Sequence, residues 1–336
     1  MTNWAERLTR TDKFHESSNR SETGRRAIVA ALKNEGPFIV EWLAHHQSIG
    51  FNEFYLFSND CVDGTDLILD RLDEMGLVTH FRNPSAKMGD PQRAALSRAN
   101  QNENVRSADW LLVLDLDEYL NIHCGDGTLD DLFEQCGDAD AISVTWRVMG
   151  SSGHERMTPE LATKRFTRGV DRFAPHSSLL WGFKTLFRPA SFDFFGIHRP
   201  RFFKDRQLHP GMVKWVNGSG KDVGEKFYEK GWRSNRHNVG YELAQINHYA
   251  VRSRDEFLLK RLRGSANTAD KDRLGKEYFA KFDQNEQEDT SINTDRIQAH
   301  VGQLMQDDRL AALVEHARDV SLKTIENYRN VACVSG

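Results

Sequence analysis

Cysteines and long apolar runs are both scarce in this chain of 336 residues. The four cysteines, Cys61, Cys124, Cys136 and Cys333, show no Cys-x-x-Cys spacing, which argues against a zinc site and a disulfide framework. No apolar run reaches the ~18 residues that a transmembrane helix needs, and the first ten residues lack the apolar centre of a signal peptide. We therefore expect a reduced, cytoplasmic protein with no transmembrane segment, for which peripheral membrane association stays open.

An excess of one charge is also absent. The chain has 45 Lys and Arg residues against 49 Asp and Glu residues, a formal net charge of −4. This balance gives no electrostatic basis for nucleic-acid binding as the main role, so no nucleic-acid partner is expected. The length suits one large α/β domain with appendages or two modest domains.

Strand and helix patterns alternate regularly in the first third of the chain. The predicted strands are 26–32, 53–57, 78–81 and 111–114, and the predicted helices between them are 36–50, 66–75 and 92–105. Such alternation is typical of βαβ units that build a parallel sheet. After residue 138 the alternation fades, and the aromatic-rich stretch 160–250 is predicted to be mostly loops with short strands. Helical patterns return from residue 253, with an amphipathic helix at 309–328.

The most informative segment is Trp110-Leu-Leu-Val-Leu-Asp115-Leu-Asp117-Glu118-Tyr119-Leu120, an apolar strand pattern followed by three carboxylates. Open α/β sheets bind their ligands at the carboxyl ends of such strands. Asp115 and Asp117, two positions apart, suit a hard divalent cation that can neutralise a diphosphate. The structural alternative is that an acidic residue caps the next helix, which needs only one carboxylate.

Two polar loops are expected at the same edge of the sheet. Residues 33–36 (Lys-Asn-Glu-Gly) follow the first strand, and residues 58–65 (Ser-Asn-Asp-Cys-Val-Asp-Gly-Thr) follow the second. Because the carboxyl ends of parallel strands meet at one edge, these loops should approach the acidic segment. Three polar loops at one edge are a more specific signal than Asp63-Gly64-Thr65 alone, which is a common turn followed by a cap. The residues predicted to meet there are Asn34, Glu35, Asn59, Asp60, Asp115 and Asp117.

Three other classes of protein share parts of this pattern. Phosphatases of the haloacid dehalogenase type also begin with a strand and Asp-x-Asp, but they carry Thr or Val where this chain has Tyr119. A sugar-phosphate nucleotidyltransferase needs a Gly-rich, basic loop after the first strand, which residues 34–37 (Asn-Glu-Gly-Pro) do not supply. A non-catalytic module that binds a nucleotide sugar stays open, although the intact acidic segment favours catalysis.

The motifs in order resemble the family 2-type glycosyltransferases and, among them, the family 92-like branch. They are Lys-Asn-Glu-Gly, Glu-Trp-Leu-x-x-His, Asp-Gly-Thr and Trp-Leu-Leu-x-x-Asp-Leu-Asp-Glu-Tyr-Leu, and residues 146–153 and 247–264 extend the resemblance to most of 26–264. It implies an α/β fold of GT-A type, a Rossmann-like mixed sheet flanked by helices, with a helical C-terminal segment. It also implies metal-dependent, inverting transfer from a UDP- or GDP-linked nucleotide-sugar donor to a hydroxyl of a glycan or glycoconjugate acceptor. Met149 stands where the family has Phe, so the acceptor side of this chain is expected to differ from that of the family.

Carried over to this chain, the resemblance assigns the donor side of the site. Asp115 and Asp117 would hold Mn²⁺ or Mg²⁺, with His248 as a third ligand, although a packed structural histidine is an equal alternative. Asn34, Glu35, Asn59 and Asp60 would face the base and ribose, and Gln92 and Arg93 would reach the ribose or phosphates. Lys260, with Arg252 and Arg263, would steady the leaving diphosphate, or these residues would form a solvated helix face.

The acceptor side is less well determined by the sequence. A general base must take the proton of the attacking hydroxyl. His154 and Glu155, directly after Gly153, are the expected catalytic residues from their position, while Asp193, Asp205 and Asp222 stay open. We predict a polar N-terminal arm (1–24), a glycosyltransferase domain (25–264) and a helical C-terminal region (265–336). Within the domain, residues 25–125 form the nucleotide-sugar-binding half and residues 139–264 the acceptor half.

Overall fold

The computed structural model describes residues 24–83, 90–209, 211–263 and 274–334. The predicted N-terminal arm, apart from Gly24, lies outside the described residues. The strands are β1 Arg26–Leu32, β2 Glu53–Ser58, β3 Thr79–Arg82, β4 Trp110–Val113, β5 Glu118–Ile122, β6 Ala141–Val148, β7 Arg168–Gly169, β8 Phe183–Phe187, β9 Phe194–Phe195, β10 Pro200–Arg201, β11 Trp215–Asn217, β12 Ala244–His248 and β13 Gln287–Glu288. The helices are α1 Ile39–Ser48, α2 Thr65–Glu74, α3 Pro91–Gln101, α4 Glu103–Arg106, α5 Leu129–Cys136, α6 Ala162–Arg165, α7 Arg254–Arg263, α8 Lys276–Phe282, α9 Thr294–Leu304 and α10 Asp308–Val334.

A mixed sheet forms the centre of the described molecule, in the order β3-β2-β1-β4-β8-β6-β12-β5, with β11 also paired to β6. The four strands β3, β2, β1 and β4 are mutually parallel. Strand β8 runs antiparallel to both β4 and β6, whereas β12 is parallel to β6 and antiparallel to β5. The predicted fold class, an α/β sheet of GT-A type flanked by helices with a helical C-terminal segment, is confirmed.

Alternate residues of the central strands enter two separate cores, as the twofold period of a strand requires. Ile28 of β1 and Leu112 of β4 pack with Trp42 of α1 and Leu72 of α2 on one face of the sheet. On the other face, neighbouring strand residues such as Val29 pack with apolar residues of α3. Burial on both faces explains why these strands are continuous apolar runs in the sequence.

The predicted helix 92–105 is wrong in one respect, because the structure breaks it into α3 and α4 at Asn102. This residue adopts an extended conformation (ψ 117°), and its side chain accepts hydrogen bonds from the backbone N–H groups of Asn104 and Val105. Asn favours such a capping geometry over the interior of a helix. The helical spacing of apolar residues continues across the break, so the pattern alone does not reveal it.

The acidic segment forms a tight connection between two strands of the sheet. Strand β4 ends at Val113, the backbone N–H of Glu118 donates to the carbonyl of Asp115 at 3.1 Å, and β5 begins at Glu118. The predicted strand 111–114 is therefore confirmed, whereas the sequence pattern does not predict β5. Among the described strands, β5 pairs with β12, a partner more than a hundred residues later in the chain.

The C-terminal helices pack onto the first half of the domain. Helix α9 contacts α1, and α10 contacts α2 and residues 36–38. Space at Gly36 is tight, because a Cβ atom there would lie 2.6 Å from the Cβ of Ala317 in α10. The predicted helix 309–328 is confirmed and extends to Val334. Among the described residues, none of the helices has both the length and the apolar character to span a bilayer.

Candidate active site

The loops after β1 and β2 meet at the carboxyl edge of the sheet, as predicted. Asn34 Oδ1 accepts a hydrogen bond from the backbone N–H of Val62 at 2.9 Å, and the N–H of Glu35 donates to Thr65 Oγ1 at 2.8 Å. The N–H of Gly36 donates to Asp63 Oδ2 at 3.0 Å, while Asp63 Oδ1 accepts from Thr65. Asp63 and Thr65 thus act as scaffold, and they fix the position of residues 34–36.

Three residues of this edge adopt left-handed backbone conformations that are uncommon for side-chain-bearing residues. They are Asn34 (φ 52°), Asp60 (φ 40°) and Arg252 (φ 53°). Backbone strain of this kind concentrates at ligand-binding sites, where the surrounding structure maintains it. Its presence in three separate loops at one edge supports a functional site there.

Glu35 forms the first of three mixed charge clusters. Its buried carboxylate pairs with the guanidinium of Arg263 and lies 3.9 Å from that of Arg252. Arg263 also donates to the carbonyl of Lys33 at 3.1 Å, and the Arg252 guanidinium lies 3.8 Å from the ring centroid of Phe38. These basic residues therefore do not form a solvated helix face, because both arginines are largely buried and reach the first loop.

Asp115 and Glu118 share one buried cation, Lys184 of β8. Lys184 Nζ lies 2.9 Å from Asp115 Oδ2 and 3.2 Å from Glu118 Oε2, and both Lys184 and Glu118 are fully buried. Although burial acts to lower it, the two carboxylates raise the pKa of Lys184 to about 12. Burial raises the pKa of Glu118 to about 8. Gln92 Nε2 donates to Asp115 Oδ1 at 2.9 Å, which places Gln92 in the site as predicted.

Asp117 forms the third cluster, with Lys260 and His248. Lys260 Nζ donates to Asp117 Oδ2 at 2.6 Å and to the carbonyl of Ala250 at 2.8 Å. His248 Nε2 lies 3.7 Å from the same carboxylate oxygen. Burial would raise the pKa of Asp117, but the positive charge of Lys260 and the nearby ring of His248 hold it well below its usual value. Asp117 therefore stays ionised.

A divalent cation is implied by the resemblance, and the chemistry of the donors at this edge fits one. Asp117, His248 and the partly exposed carboxylate of Asp115 offer oxygen and nitrogen donors that suit Mn²⁺. His248 Nδ1 is buried without a hydrogen-bond partner, so this ring is not fully accounted for by packing. Within the described ranges, however, no three acidic, His or Cys side chains are gathered in a metal-binding arrangement, since lysines hold both aspartates. The metal site stays a prediction.

Four of the predicted site residues have other surroundings. The side chain of Arg93 is 81% exposed and lies 3.2 Å from Asp90. Asn59 is buried, and its Oδ1 accepts from Asn83 Nδ2 at 2.8 Å. Glu155 is 74% exposed and 3.8 Å from Arg254, and His154 packs against Phe166. The polar contacts within the described structure do not connect His154 or Glu155 to the Asp117 cluster, so their catalytic role stays a prediction.

Lys184 is the member of the site that sequence reasoning misses. It lies in the run Phe183-Lys-Thr-Leu-Phe187, whose pattern predicts a short strand and nothing more. A lysine inside an otherwise apolar strand is the available signal, because a fully buried lysine needs a counter-charge.

Open α/β sheets bind their ligands at the carboxyl ends of the strands, which is where this mixed sheet carries its ion-paired carboxylates. The chain belongs to glycosyltransferase family 92, whose model matches residues 29–301. The predicted resemblance is thereby confirmed, and the phosphatase and nucleotidyltransferase alternatives lose their support.

Two curated plant proteins are similar to this chain. A glycosyltransferase family 92 protein of Oryza sativa subsp. japonica is 22% identical over 227 residues, which cover 66% of this chain and 32% of that protein. One of Ricinus communis is 22% identical over 144 residues, covering 42% and 25% respectively. The chain thus spans a third or less of the length of these relatives.

Solved structures show more distant similarity. The Staphylococcus aureus protein TarS (residues 1–349), solved with UDP, has a TM-score of 0.34 and 15% identity, and the match covers 58% of this chain and 61% of that one. Glucosyl-3-phosphoglycerate synthase of Mycobacterium tuberculosis, solved with Mn²⁺ and UDP, has a TM-score of 0.30 and 13% identity, covering 50% and 58%. The family assignment rests on the sequence match and not on these structures.

Proposed function

We propose that this chain is a metal-dependent, inverting glycosyltransferase that transfers a sugar from a UDP- or GDP-linked donor to a hydroxyl of a glycan or glycoconjugate. The observation that carries the proposal is the meeting of three polar loops and three mixed charge clusters at the carboxyl edge of the sheet. In this proposal residues 25–125 bind the donor and residues 139–264 bind the acceptor.

The pairing of charges supports the need for a metal ion. The cations Lys184, Arg252, Lys260 and Arg263 all lie beside carboxylates, namely those of Glu35, Asp115, Asp117 and Glu118. A nucleotide diphosphate that enters this site therefore meets little unbalanced positive charge. A divalent cation held by Asp115, Asp117 and His248 would supply the missing charge and stabilise the departing diphosphate as a Lewis acid.

The surrounding residues would position the donor and its leaving group. Glu35 and Asp60 lie at the nucleotide end, where their carboxylates can accept hydrogen bonds from the base or ribose. Lys260 and Arg263 project from α7 toward the Asp117 and Glu35 clusters and can stabilise negative charge on the leaving diphosphate. The attacking hydroxyl must lose a proton, and His154 and Glu155 stay the candidates for this step.

A thermal-shift screen of nucleotide sugars, each with and without Mn²⁺, tests the proposed function. A ligand that binds the native state raises the apparent stability by an amount that grows with its concentration over its Kd. We expect a UDP- or GDP-linked sugar to raise the melting temperature only when Mn²⁺ is present. A shift with nucleotide sugars that is independent of metal would contradict metal dependence, and no shift with any of them would contradict donor binding.

Replacement of Glu35 or Asp60 by Ala should weaken donor binding by on the order of 1–3 kcal/mol, the cost of a lost buried or charge-assisted hydrogen bond. Isothermal titration with UDP and Mn²⁺ measures the effect. Glu103→Ala on the exposed face of α4 is the control. The assignment is wrong if both variants bind UDP as tightly as the control does, or if a donor complex places the base far from both loops.

Replacement of His248 by Ala should weaken activation by Mn²⁺ more than activation by Mg²⁺, because imidazole suits Mn²⁺ better than the more oxygen-selective Mg²⁺. The loss should be smaller than that caused by Asp117→Asn, since a neutral ligand contributes less to the charge balance than a carboxylate. His248→Asp should partly restore activation by Mg²⁺. Metal titrations of transfer activity, with the exposed His237→Ala as control, measure these effects. Equal losses of activation with Mn²⁺ and Mg²⁺ would indicate that His248 is a packed structural residue and not a metal ligand.

A further inference from the structure

A cavity of about 600 Å³ lies in the proposed acceptor half, and none of the described residues proposed to bind the donor lines it. Its charged lining residues are three cations and one carboxylate, namely Arg172, Lys221, Arg236 and Glu242. At the proposed donor site each cation lies beside a carboxylate, whereas here the cations outnumber the carboxylate by two. A cavity of this size holds a small ligand, and the excess of positive charge favours an anion.

Arg172 presents a fixed guanidinium to the cavity. Its Nε and Nη2 donate to Gln245 Oε1 at 3.1 and 2.7 Å, and Nη2 also donates to Asp289 Oδ2 at 3.1 Å. Nη1 makes no hydrogen bond with any described residue, and the side chain is 31% exposed. Because a guanidinium is planar and carries five N–H donors, contacts along one edge fix its orientation and leave other N–H groups for a ligand.

A second guanidinium lies behind the first and adds to the positive charge. Arg147 of β6 is buried, its Nε lies 3.7 Å from Asp289 Oδ2, and its Nη2 donates to Gln287 Oε1 at 3.1 Å. Among the described residues, Asp289 is the single carboxylate within ion-pair distance of either arginine. Burial and the charge of Arg172 accordingly lower the pKa of Arg147. Arg147 does not line the cavity, so it acts on a ligand through its charge and not through contact.

The other two cations come from separate loops and are weakly held. Lys221 follows β11, is 70% exposed, and lies 3.3 Å from Glu242, which is 65% exposed. Exposed ion pairs of this kind contribute little to stability, so an incoming anion can replace Glu242 as the partner of Lys221. Arg236, in the loop before β12, is exposed and forms no ion pair with a described residue. Both side chains are thus available to a ligand.

Phe173 supplies an apolar wall that is open to the ligand. Its side chain is 68% exposed, and its one ring contact in the described structure is edge-on to Tyr241, with centroids 5.8 Å apart and planes at 78°. The guanidinium carbon of Arg172 lies 5.6 Å from the centroid of the same tyrosine ring. Phe173 and Arg172 therefore lie on either side of one short stretch of cavity wall, where a single small ligand can contact both.

The cavity is set apart from the reaction centre by two side chains. Tyr241, in the cavity wall, donates from Oη to the carbonyl of Trp146 at 2.9 Å. The ring of Trp146 lies 4.4 Å from that of His248, whose Nε2 is 3.7 Å from Asp117 Oδ2. A sugar unit in the cavity is therefore not the unit that carries the attacking hydroxyl, but one further along the acceptor.

We propose that this cavity binds an acidic sugar unit of the acceptor. A carboxylate or phosphate of that unit contacts the three cations, and the C–H face of its pyranose ring packs on Phe173. Binding of the acidic sugar stands on the cavity alone, whereas its assignment to the acceptor rests on the proposed function. Recognition of charge at a distance from the reaction centre would select acidic glycans over neutral ones.

Saturation-transfer difference NMR on the full chain tests this site with methyl β-D-glucuronide and glucose 6-phosphate, and with methyl β-D-glucoside as the neutral counterpart of the glucuronide. We expect at least one of the acidic sugars to bind at least about fivefold more tightly than the glucoside at low salt, with the difference decreasing as salt is added. Inorganic phosphate, added as a competitor, should displace the acidic sugar only at higher concentration, because it has no face to pack on Phe173.

Variants of the exposed lining residues test the contacts without disturbing the ion pairs of Arg172. Arg236→Ala and Lys221→Ala should each weaken binding of the acidic sugar by about threefold to tenfold, and leave that of the glucoside unchanged. Phe173→Ala should weaken binding of both kinds of sugar by about threefold. Lys230→Ala, at an exposed lysine outside the cavity, is the matched control and should change neither.

Titration of the same proteins with UDP and Mn²⁺ separates this inference from the proposed function. Unchanged UDP binding together with lost binding of the acidic sugar in Arg236→Ala/Lys221→Ala supports the site and shows that the nucleotide does not occupy it. Equal binding of acidic and neutral sugars, or acidic-sugar binding that persists in the double variant, would overturn it, as would a wild-type protein that binds UDP and neither acidic sugar. Inorganic phosphate that competes as tightly as the sugars bind would overturn the part given to Phe173. A wild-type protein that binds the acidic sugar and no nucleotide would instead refute the proposed function and leave the site standing.

Discussion

Asp117→Asn is expected to abolish the metal-dependent binding of UDP and, with it, sugar transfer. The carboxylate of Asp117 is ionised, lies 3.7 Å from His248 Nε2 and is the proposed anchor of the divalent cation. An amide of the same shape can still accept a hydrogen bond from Lys260, but it carries no charge to offset that of the metal. Isothermal titration with UDP, with and without Mn²⁺, measures the loss.

Folding of this variant must be checked separately, because the change leaves Lys260 without its buried counter-charge. We expect a cost on the order of 1–3 kcal/mol in the free energy of unfolding. The double variant Asp117→Asn/Lys260→Met removes both charges and should regain most of that stability without regaining metal-dependent binding. Asp138→Asn, at an exposed residue paired with Lys214, is the control for both measurements. Unchanged dependence of UDP binding on Mn²⁺ in Asp117→Asn would show that the metal is held elsewhere.

Lys184→Met is expected to destabilise the fold more than Asp117→Asn does, and to cause a loss of activity as well. The lysine is fully buried and is the cation that neutralises Asp115 and Glu118. Its removal leaves the carboxylates of Asp115 and Glu118 without a counter-charge, at a cost of about 3 kcal/mol or more in the free energy of unfolding. Protonation limits this cost, because the pKa of Glu118 is already raised to about 8 by burial. Urea denaturation followed by circular dichroism measures the change.

Two further variants distinguish a structural from a catalytic role of Lys184. Lys184→Met/Glu118→Gln should recover much of the stability, since it removes the buried acid that lost its partner. It should not recover donor binding, because Asp115 then lacks the cation that positions it. Lys214→Ala, which removes an exposed ion pair, should change stability by less than about 1 kcal/mol. If Lys184→Met loses no more stability than Lys214→Ala does, Lys184 is not the cation that stabilises Asp115 and Glu118.

The parallel half of the sheet is predictable because its determinants are local. Strands β1, β2 and β4 are apolar runs, and each is followed by a polar loop that the sequence shows directly. The order of the loops along the chain then places Asn34, Glu35, Asp60 and Asp115 at one edge, since parallel strands share their carboxyl ends. Local pattern and general topology are sufficient to predict that these residues meet at one edge of the sheet.

The partners of those carboxylates are not predictable by the same means. Lys184 comes from an antiparallel strand inserted between β4 and β6, and Arg263 reaches Glu35 across more than two hundred residues of chain. Strand β5 follows the aspartates at once, but its partner in the sheet is the distant strand β12. Such pairings depend on the tertiary arrangement, so they cannot be predicted from the spacing of residues in the sequence. Conversely, aromatic residues that are typical of loop packing in the sequence gather around His248.

The contact between Gly36 and Ala317 has a consequence for the order of events during synthesis on the ribosome. The loop that presents Glu35 is among the first parts of the sheet to emerge, whereas the helix that covers it emerges after nearly the whole domain. A nascent chain that lacks α10 therefore exposes this loop and the apolar face of α2. Domains fold as units as synthesis proceeds, and uncovered apolar surface invites aggregation until the unit is complete. If the loop that presents Glu35 binds the donor as proposed, donor binding arises late in translation although this loop is encoded early.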